Sequence, residues 1–393
     1  MAKEALKRNI PLLYAARLCS YMAFFVPVIV VFFEGQGLSL TQVMILQTAF
    51  AVAIVVLEVP SGFFADRVGR RVSLFIGAAV VTGACVVYAT GFGFTQFLVA
   101  EILWAVGGSL LSGTYSAILY DTLLALGREN EYKKIEGHAT FLGLLGGAGS
   151  AAVGGFIAVA GIRLTFYLTA AALAVAVVAA LLLREPPRQK GGHPRGELYY
   201  LYKIGRFALY KNAEVRWLIL LAALIGSLGT VGFWLYQPYF VLCGIPLHYF
   251  GLIFALFNVF AAFSSKIAFV VERLIGKRLS LILLPTLLGL SMFAMAAFVT
   301  PFGFLFVLFA QFVRGFSEPI IGDYINRHTW SDKRATVISI KNLVTRIIFV
   351  AAAPAAGAAS DYADARLGLA LAAAGTVLGG ALLIIALRRD RVI

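Results

Sequence analysis

The sequence has little charge and few of the residues that build metal or disulfide sites. Charged residues make up 13% of the 393 residues and hydrophobic residues 61%, whereas a soluble protein usually carries about 25% charged residues. The three cysteines and four histidines show no CxxC pair and no spacing typical of metal ligands. A soluble fold, a disulfide framework and a metal centre are therefore not expected.

Acidic residues are also scarce, with 19 Asp and Glu against 33 Lys and Arg. This excess does not predict nucleic-acid binding, because no basic tract with interleaved aromatics stands apart from the apolar runs. The sequence shows no nucleotide-binding loop and no nucleophile–base arrangement, so neither an enzyme nor a cofactor is expected. A membrane enzyme or a receptor is the weakest functional hypothesis.

Long apolar runs are abundant, and twelve of them reach the roughly 20 residues that a membrane-spanning helix needs. Helices are predicted because lipid cannot satisfy free backbone groups and no alternating ten-residue pattern indicates a barrel. The first run is too long for a signal peptide and lacks a cleavage pattern, so it is predicted to remain as a span. The predicted spans are 9–34, 40–60, 73–90, 97–121, 137–159, 164–183, 215–242, 247–271, 279–300, 304–326, 336–359 and 367–387.

The basic residues between the spans predict the orientation of the chain. Apart from Arg163 and Arg366, every Lys and Arg outside the spans lies in the tails or in an even-numbered connection. Basic residues accumulate on the cytoplasmic side of a membrane. We therefore expect both termini in the cytoplasm and a multi-pass protein of the plasma (inner) membrane.

The longest connection, 184–214, predicts a division into two six-helix halves, 1–183 and 215–393. The connection begins with breaker residues, "REPPRQKGGHPRGE", and continues as "LYYLYKIGRFALYK" over 198–211. The second stretch has the pattern of an amphipathic helix on the anionic inner leaflet. A flexible linker is the alternative interpretation.

The two halves repeat some of their charged residues. The stretch "ADRVGRR" after span two has a weaker counterpart, "VERLIGKR" over 271–278, which places Glu272 at a position similar to that of Asp66. Asp121 closes span four, and Asp323 closes span ten. This repetition indicates duplication, which is common in transporters built from repeated bundles.

Residues 62–74, "GFFADRVGRRVSL", resemble the signature of the major facilitator superfamily, G-x-L-A-D-R-x-G-R-[KR]-x-x-L, with Phe64 in place of the usual Leu. The position between spans two and three also agrees, and the resemblance extends over the whole chain. It implies an all-α integral membrane protein with 12 transmembrane helices in two pseudo-symmetric six-helix bundles. It also implies a secondary transporter, although a fold family does not identify the substrate.

The resemblance further implies a latch on the cytoplasmic side. In the family, the signature Asp sits against the N-terminus of span eleven, and the Arg four residues later pairs with an acid at the end of span four. Those roles fall here to Asp66, Arg70 and Asp121, and Gly62 and Gly69 are expected to permit tight turning and close helix approach. The predicted latch also includes Arg67, Arg71, Glu272 and Asp323. The alternative is that these charges only set the topology.

Four ionisable residues are predicted near the middle of the membrane, where such groups are costly and usually functional. They are Arg17, Arg314, Glu318 and Arg346. Arg314 and Glu318 are four residues apart and can pair on one helix face, while Lys341 is predicted to lie shallow. Three basic groups against one carboxylate mean that another acid is recruited or that an anion occupies the cavity.

Polar residues at helical spacing predict a central cavity, and the resemblance places its walls on spans one, four, seven and ten. Interhelical hydrogen bonding is the alternative role for each stripe. The candidate residues for binding substrate or protons are Tyr14, Arg17, Tyr21, Trp234, Gln237, Asn258, Gln311, Arg314, Glu318, Asn342 and Arg346.

Two functional hypotheses follow. The first is a proton-coupled exporter of small organic molecules, an antiporter in which Glu318 carries the proton. The "SAAVGG" stretch at 150–155 departs from the glycine–proline pattern of many antiporters, which leaves coupling open. The second is a symporter or uniporter for a small organic anion or vitamin-like solute, suggested by the excess of central arginine. The expected partners are a small-molecule substrate, a proton or other ion and the lipid bilayer, and the expected state is a monomer.

Overall fold

The structure, a computed structural model, describes residues 2–187, 212–330, 333–390 and 392. Within these residues the regular elements are α-helices and short 3-10 helices, without a strand. The predicted amphipathic helix over 198–211 lies outside the described residues, as does most of the 184–214 connection.

The helices before residue 187 follow one another with short connections. They are α1 (Ala2–Lys7), α2 (Asn9–Tyr21), α3 (Ile29–Gly35), α4 (Leu40–Val68), α5 (Arg70–Thr90), α6 (Gly93–Leu111), α7 (Thr114–Leu126), α8 (Tyr132–Ala160) and α9 (Ile162–Leu182). The helices after residue 212 are longer, namely α10 (Ala213–Leu242), α11 (Leu247–Ala297), α12 (Val307–Arg327), α13 (Arg334–Tyr362) and α14 (Ala365–Arg389).

Eleven helical segments of the described residues are long and apolar enough to cross a membrane. One of them, α11, has 51 residues, and its backbone leaves the helical region at Gly276, where φ is 75°. An unbroken helix of that length would measure about 75 Å, more than twice a hydrocarbon core of about 30 Å. The predicted spans eight and nine correspond to the parts of α11 before and after Gly276.

Two other predicted spans each consist of two helices. Helix α2 ends at Tyr21, and a 3-10 turn containing Pro27 precedes α3. Helix α6 ends at Leu111, and Gly113 adopts a φ of 70° before α7 begins. Proline removes a backbone donor and glycine tolerates a positive φ, so each residue permits the interruption.

The charged signature at 62–71 is part of two helices and not a loop. Asp66 and Arg67 lie in the last turn of α4, and α5 begins at Arg70. Gly69 alone separates these helices, with a φ of 133°, so the tight turn predicted there is present. The prediction for Gly62 is wrong, because Gly62 is helical and a Cβ there would project into open space.

The described residues divide into two compact units. The first consists of the described residues of Met1–Leu38, Ala49–Gly191 and Pro246–Ala255, and the second of those of Ser39–Thr48, Gly192–Ile245 and Leu256–Ile393. The predicted halves, 1–183 and 215–393, remain a prediction.

Aromatic packing forms part of the core of the first unit. The rings of Phe25 and Phe166 stack at 4.9 Å, and Phe97 packs against Phe32 and Tyr88 at 5.3 and 6.0 Å. These five side chains come from separate segments, so their burial joins α3, α5, α6 and α9. Buried aromatic side chains supply large apolar areas and favourable ring contacts.

Small residues bring α8 close to the start of α11 within the first unit. A Cβ at Gly251 would overlap the carbonyl oxygen of Ala151, and one at Gly155 would lie 2.8 Å from the carbonyl oxygen of His248. Only glycine permits backbones to approach this closely.

Two aspartates close helix ends in the second unit. The Asp361 carboxylate accepts hydrogen bonds from the Leu40 and Thr41 backbone N–H groups at 2.7 and 2.9 Å, at the N-terminus of α4. Asp364 is the N-cap of α14, and its side chain accepts from Arg366 N at 2.8 Å. Hydrogen bonds from the Arg366 side chain hold the pKa of the Asp364 carboxyl below its ordinary value. Carboxylates are favourable at helix N-termini, where backbone donors are free.

Candidate functional site

The signature residues form a polar cluster around the first turn of α5. Arg70 Nη1 contacts Asp121 Oδ2 and donates a hydrogen bond to the Ala117 carbonyl oxygen at 2.7 Å. The pair that the family resemblance implied is therefore present. Arg71 Nη2 donates to the Leu181 carbonyl oxygen at 2.5 Å.

Glu185 is a further member of this cluster that the sequence analysis did not single out. Its carboxylate oxygens accept from Arg70 N at 3.0 Å and from Arg71 N at 2.8 Å. This caps the N-terminus of α5, where a negative charge is favourable. Glu185 lies more than 110 residues away in the sequence, and only its place just after span six suggests its role.

The counterparts in the second half are paired differently. Tyr324 Oη donates to Glu272 Oε1 at 2.7 Å, and Asp323 pairs with Arg327 on its own helix at 2.7 Å. The nearby Lys277 pairs with Glu214 at 2.5 Å. The sequence repeat is therefore not accompanied by the same pairing, and the latch roles of Asp66, Arg67, Glu272 and Asp323 remain predictions.

Arg17 lies in a polar cluster of the first unit. Its guanidinium carbon lies 5.3 Å from the ring centre of Tyr21 and 4.8 Å from that of Tyr115, both within the range of cation–π attraction. Its Nη2 lies 3.7 Å from Glu136 Oε1. Arg17 therefore meets an acid, Glu136, from outside the predicted spans, which agrees with one of the two alternatives for the excess of basic charge.

Sequence reasoning missed Glu136 because span five was predicted to begin one residue later. In the structure α8 begins at Tyr132, so Glu136 lies within its second turn. Ser116 Oγ donates to Glu136 Oε1 at 3.0 Å. The remaining candidate on α2, Tyr14, packs against a hydrophobic cluster that contains Leu13 and Leu123.

Glu318 and Lys341 form the central ion pair of the second unit. Lys341 Nζ lies 3.1 Å from both carboxylate oxygens of Glu318. The predicted pairing of Arg314 with Glu318 is not the one observed, because Arg314 Nη2 donates to Asn258 Oδ1 at 2.8 Å. Lys341, which the sequence predicts to lie shallow in the membrane, is the more buried partner, with 15% of its side chain exposed against 76% of the Glu318 side chain.

A cavity of about 420 Å³ adjoins this pair within the second unit. Its wall includes Thr230, Tyr236, Gln311, Arg314 and Glu318. Gln311 is buried, and its Oε1 has no hydrogen-bond partner within the described part of the chain. The wall thus offers a carboxylate, a guanidinium and an amide to a polar molecule. A few polar groups in the wall of a cavity are typical of small-molecule sites.

A larger groove, of about 730 Å³, lies between α11 and α14. Its wall is almost wholly apolar and includes Pro285, Gly289 and Gly380. The smaller cavity is the better candidate site, because its polar side chains can orient a substrate and its carboxylate, Glu318, can bind a proton.

Several other predicted cavity residues of the second unit are not among those that line this cavity. Gln237 is fully buried inside the second unit, and Trp234 packs edge-on against Phe233 at 5.6 Å. Asn342 is exposed and Arg346 is partly buried on α13. Gln237 does not line this cavity, whereas its neighbour Tyr236 does, and a role of Gln237 in binding remains a prediction.

Both ion pairs join a titratable carboxylate to a basic group on another helix. Glu318 on α12 meets Lys341 on α13, and Glu136 on α8 meets Arg17 on α2. A proton on either carboxylate would remove the counter-charge of a partly buried cation, which is costly unless the cation finds another partner. Protonation of the carboxylate in such a pair can therefore be coupled to a movement of the two helices that carry the pair.

Two curated relatives are drug-resistance proteins. The chain is 23% identical over 292 residues to the quinolone resistance protein NorA of Staphylococcus aureus strain MSSA476, covering 71% of this chain and 73% of that protein. It is 27% identical over 161 residues to multidrug resistance protein 2 of Bacillus subtilis strain 168, covering 41% and 39% of the two chains.

Solved structures with the same fold are transporters. The nucleoside transporter NupG, as a D323A mutant, superposes with a TM-score of 0.80 at 15% identity, over 97% of this chain and 99% of that one. A bacterial homologue of the human lysosomal transporter Spinster gives a TM-score of 0.73 at 16% identity, over 98% and 96%.

The family model described as Major Facilitator Superfamily matches residues 13–346. This range includes the charged signature, the Arg17 cluster and the Glu318–Lys341 pair. The resemblance seen in the signature is thereby confirmed, and the protein is a membrane-embedded transporter of small molecules and not an enzyme: the chain belongs to the Major Facilitator Superfamily.

Proposed function

We propose that the protein is a secondary active transporter that exports a small organic molecule from the cell in exchange for protons. The observation that carries this proposal is the Glu318–Lys341 pair beside a polar cavity of about 420 Å³. A carboxylate in the wall of a substrate cavity can bind a proton and can also interact with the substrate. Binding of either ligand then changes the affinity for the other.

Proton exchange requires that Glu318 alternate between two charge states. As a carboxylate it neutralises Lys341, whose side chain is mostly buried. When protonated it leaves Lys341 without this counter-charge, so the cation must turn towards another acceptor or towards the substrate. The conformation that binds protons and the one that binds substrate then differ in free energy.

The proposal includes a membrane topology of twelve spans in two six-helix bundles. The break at Gly276 divides α11 into two segments that are each long enough to cross the bilayer. The even number of spans places both termini on one side, and the basic residues of the connections assign that side to the cytoplasm of the plasma membrane. The transporter works as a monomer.

Export is favoured over import by the relatives. Two of them carry resistance in their names, to quinolones and to multiple drugs. Resistance is the outcome expected when a transporter removes a drug from the cell. The nucleoside transporter and the Spinster homologue share the fold at 15% and 16% sequence identity. Identities this low support a shared fold and do not indicate a shared substrate.

Carriage of a small organic anion by symport or uniport is the second candidate. It is favoured by Arg314, which lies in the cavity wall and bonds the neutral amide of Asn258 instead of an acid. An anionic substrate would meet an accessible guanidinium there. Replacing Arg314 with Gln would then abolish binding of anions and spare neutral compounds.

The test is transport into proteoliposomes with an imposed pH gradient of either sign. The probes are anionic, neutral and cationic compounds, including a quinolone and a nucleoside. For a gradient of one pH unit, Glu318→Gln is expected to reduce the accumulation of substrate about tenfold, because one proton fewer drives each cycle. Exchange of labelled for unlabelled substrate should survive, since it needs no net proton movement.

Glu131→Gln is the matched control, because Glu131 forms an ion pair with Arg128 outside the cavity. It should behave as the wild type. A wild-type protein whose transport ignores the pH gradient would disprove proton exchange. An unchanged pH response in Glu318→Gln would remove Glu318 from the mechanism.

A further inference from the structure

The Arg17 cluster contains three buried polar atoms without a hydrogen-bond partner within the described residues. They are Arg17 Nε, Glu136 Oε2 and Tyr115 Oη. Buried polar groups in folded proteins are nearly always bonded. Three such atoms around one ion pair mark a polar site whose hydrogen-bonding groups are not saturated by the described backbone and side chains.

The ion pair at this site is loose. Arg17 Nη2 and Glu136 Oε1 are 3.7 Å apart, beyond hydrogen-bond distance. Oε1 also accepts from Ser116 Oγ at 3.0 Å, whereas Oε2 accepts no hydrogen bond from the residues that the structure describes. The ionised carboxylate is therefore only half satisfied, although about a fifth of its side chain is exposed.

A proton is the ligand that fits the free oxygen. It needs almost no space, and it removes the negative charge of a carboxylate whose Oε2 receives no donor from the described residues. The groups that face Glu136 are Arg17 from α2 and Tyr115 and Ser116 from α7. When Glu136 is neutral, the Arg17 guanidinium is still stabilised by cation–π contacts with the rings of Tyr21 and Tyr115.

From this geometry we infer that Glu136 is a second proton-binding carboxylate of the transporter. The protein then carries protons on two acids, Glu136 in the first unit and Glu318 in the second, each paired with a basic group of a neighbouring helix. The inference rests on the proposed proton exchange and adds a stoichiometry of two protons for each substrate molecule. Export of a neutral molecule would then be electrogenic, with two positive charges entering per cycle.

The stoichiometry is measured in proteoliposomes at zero membrane potential, as the accumulation ratio of substrate against the imposed pH difference. Two protons predict a change of about 100-fold per pH unit in the wild type, and one proton predicts about tenfold. Glu136→Gln and Glu318→Gln should each show about tenfold. The double substitution should show no dependence on the gradient, while exchange of labelled substrate persists.

Conservative variants separate proton binding from structural support. Glu136→Asp keeps an ionisable group and should retain the two-proton dependence, and Ser116→Ala removes only a hydrogen-bond donor and should retain it as well. If Glu136→Gln does not fold, Glu136→Ala tests the same loss of the carboxyl group and should also show a one-proton dependence, and a one-proton wild type overturns the role of Glu136 in either case.

The outcomes also distinguish the two proposals. A wild type without any dependence on the gradient overturns proton exchange itself. A one-proton wild type, or a Glu136→Gln variant that keeps the two-proton dependence, overturns only the role of Glu136.

Discussion

At the scale of single residues, Gly69 controls the geometry of the charged signature. It is the one residue between α4 and α5, and its φ of 133° is a conformation that residues with a Cβ rarely adopt. Because α5 starts immediately afterwards, this turn places Arg70 opposite Asp121 and presents the Arg70 and Arg71 N–H groups to Glu185. Gly62, in the same signature, sits in the middle of a helix with open space beside it.

The two glycines therefore predict opposite effects of one substitution. Gly69→Ala is expected to reduce the free energy of unfolding by about 1–3 kcal/mol, since the backbone would be strained. Gly62→Ala should be neutral or increase it by up to about 1 kcal/mol, because alanine favours a helix interior. Thermal unfolding of both variants in one detergent measures the difference. Equal shifts in melting temperature would contradict the role given to Gly69.

At the scale of helices, close packing of α12 against α11 positions the cavity. Gly315 lies beside Arg314 on α12, and a Cβ there would overlap the carbonyl oxygen of Ala261 and approach the Ser264 Cβ at 2.9 Å. The contact fixes the rotation of α12, and therefore the direction in which Arg314 and Glu318 project. Gly322, two turns further along the same helix, has open space around its Cβ position.

Gly315→Ala is expected to destabilise the protein by roughly 1–3 kcal/mol, because overpacking forces helices apart. It should also weaken substrate binding, since α12 carries six residues of the cavity wall. Gly322→Ala is the control and should change neither property. Melting temperatures and substrate affinities of the two purified variants provide the comparison. A Gly315→Ala protein with wild-type stability would show that the two helices are not in tight contact.

At the scale of the whole molecule, the break in α11 decides the number of spans. Arg273, Lys277 and Arg278 surround Gly276, and basic residues of this kind favour the cytoplasmic side. Phe302 follows the end of α11, and 70% of it is exposed. With two spans in α11, the break and Phe302 would lie on opposite sides of the membrane.

Single cysteines test this arrangement in a background without Cys19, Cys85 and Cys243. A membrane-impermeant maleimide should label Phe302→Cys in intact cells and Arg273→Cys only after the membrane is permeabilised. Labelling of both positions from outside would contradict the twelve-span topology.

The sequence by itself determined the membrane class, the approximate positions of the spans and the family. These properties follow from local information, because hydropathy depends on about 20 consecutive residues and the signature occupies residues 62–74. Even the Arg70–Asp121 pair was available by resemblance, since the family pairs the signature Arg with an acid at the end of span four.

Only the tertiary structure decided which charges meet. Helical spacing allowed Arg314 to pair with Glu318 four residues later, yet Arg314 bonds Asn258 of another helix, and Glu318 bonds Lys341. Arg17 likewise meets Glu136, which the sequence placed just outside a span. Sequence spacing describes one helix face, whereas partners on different helices depend on how each helix is rotated and shifted against its neighbours. Those rotations are set by close contacts such as that of Gly315 with Ala261, which no local pattern records.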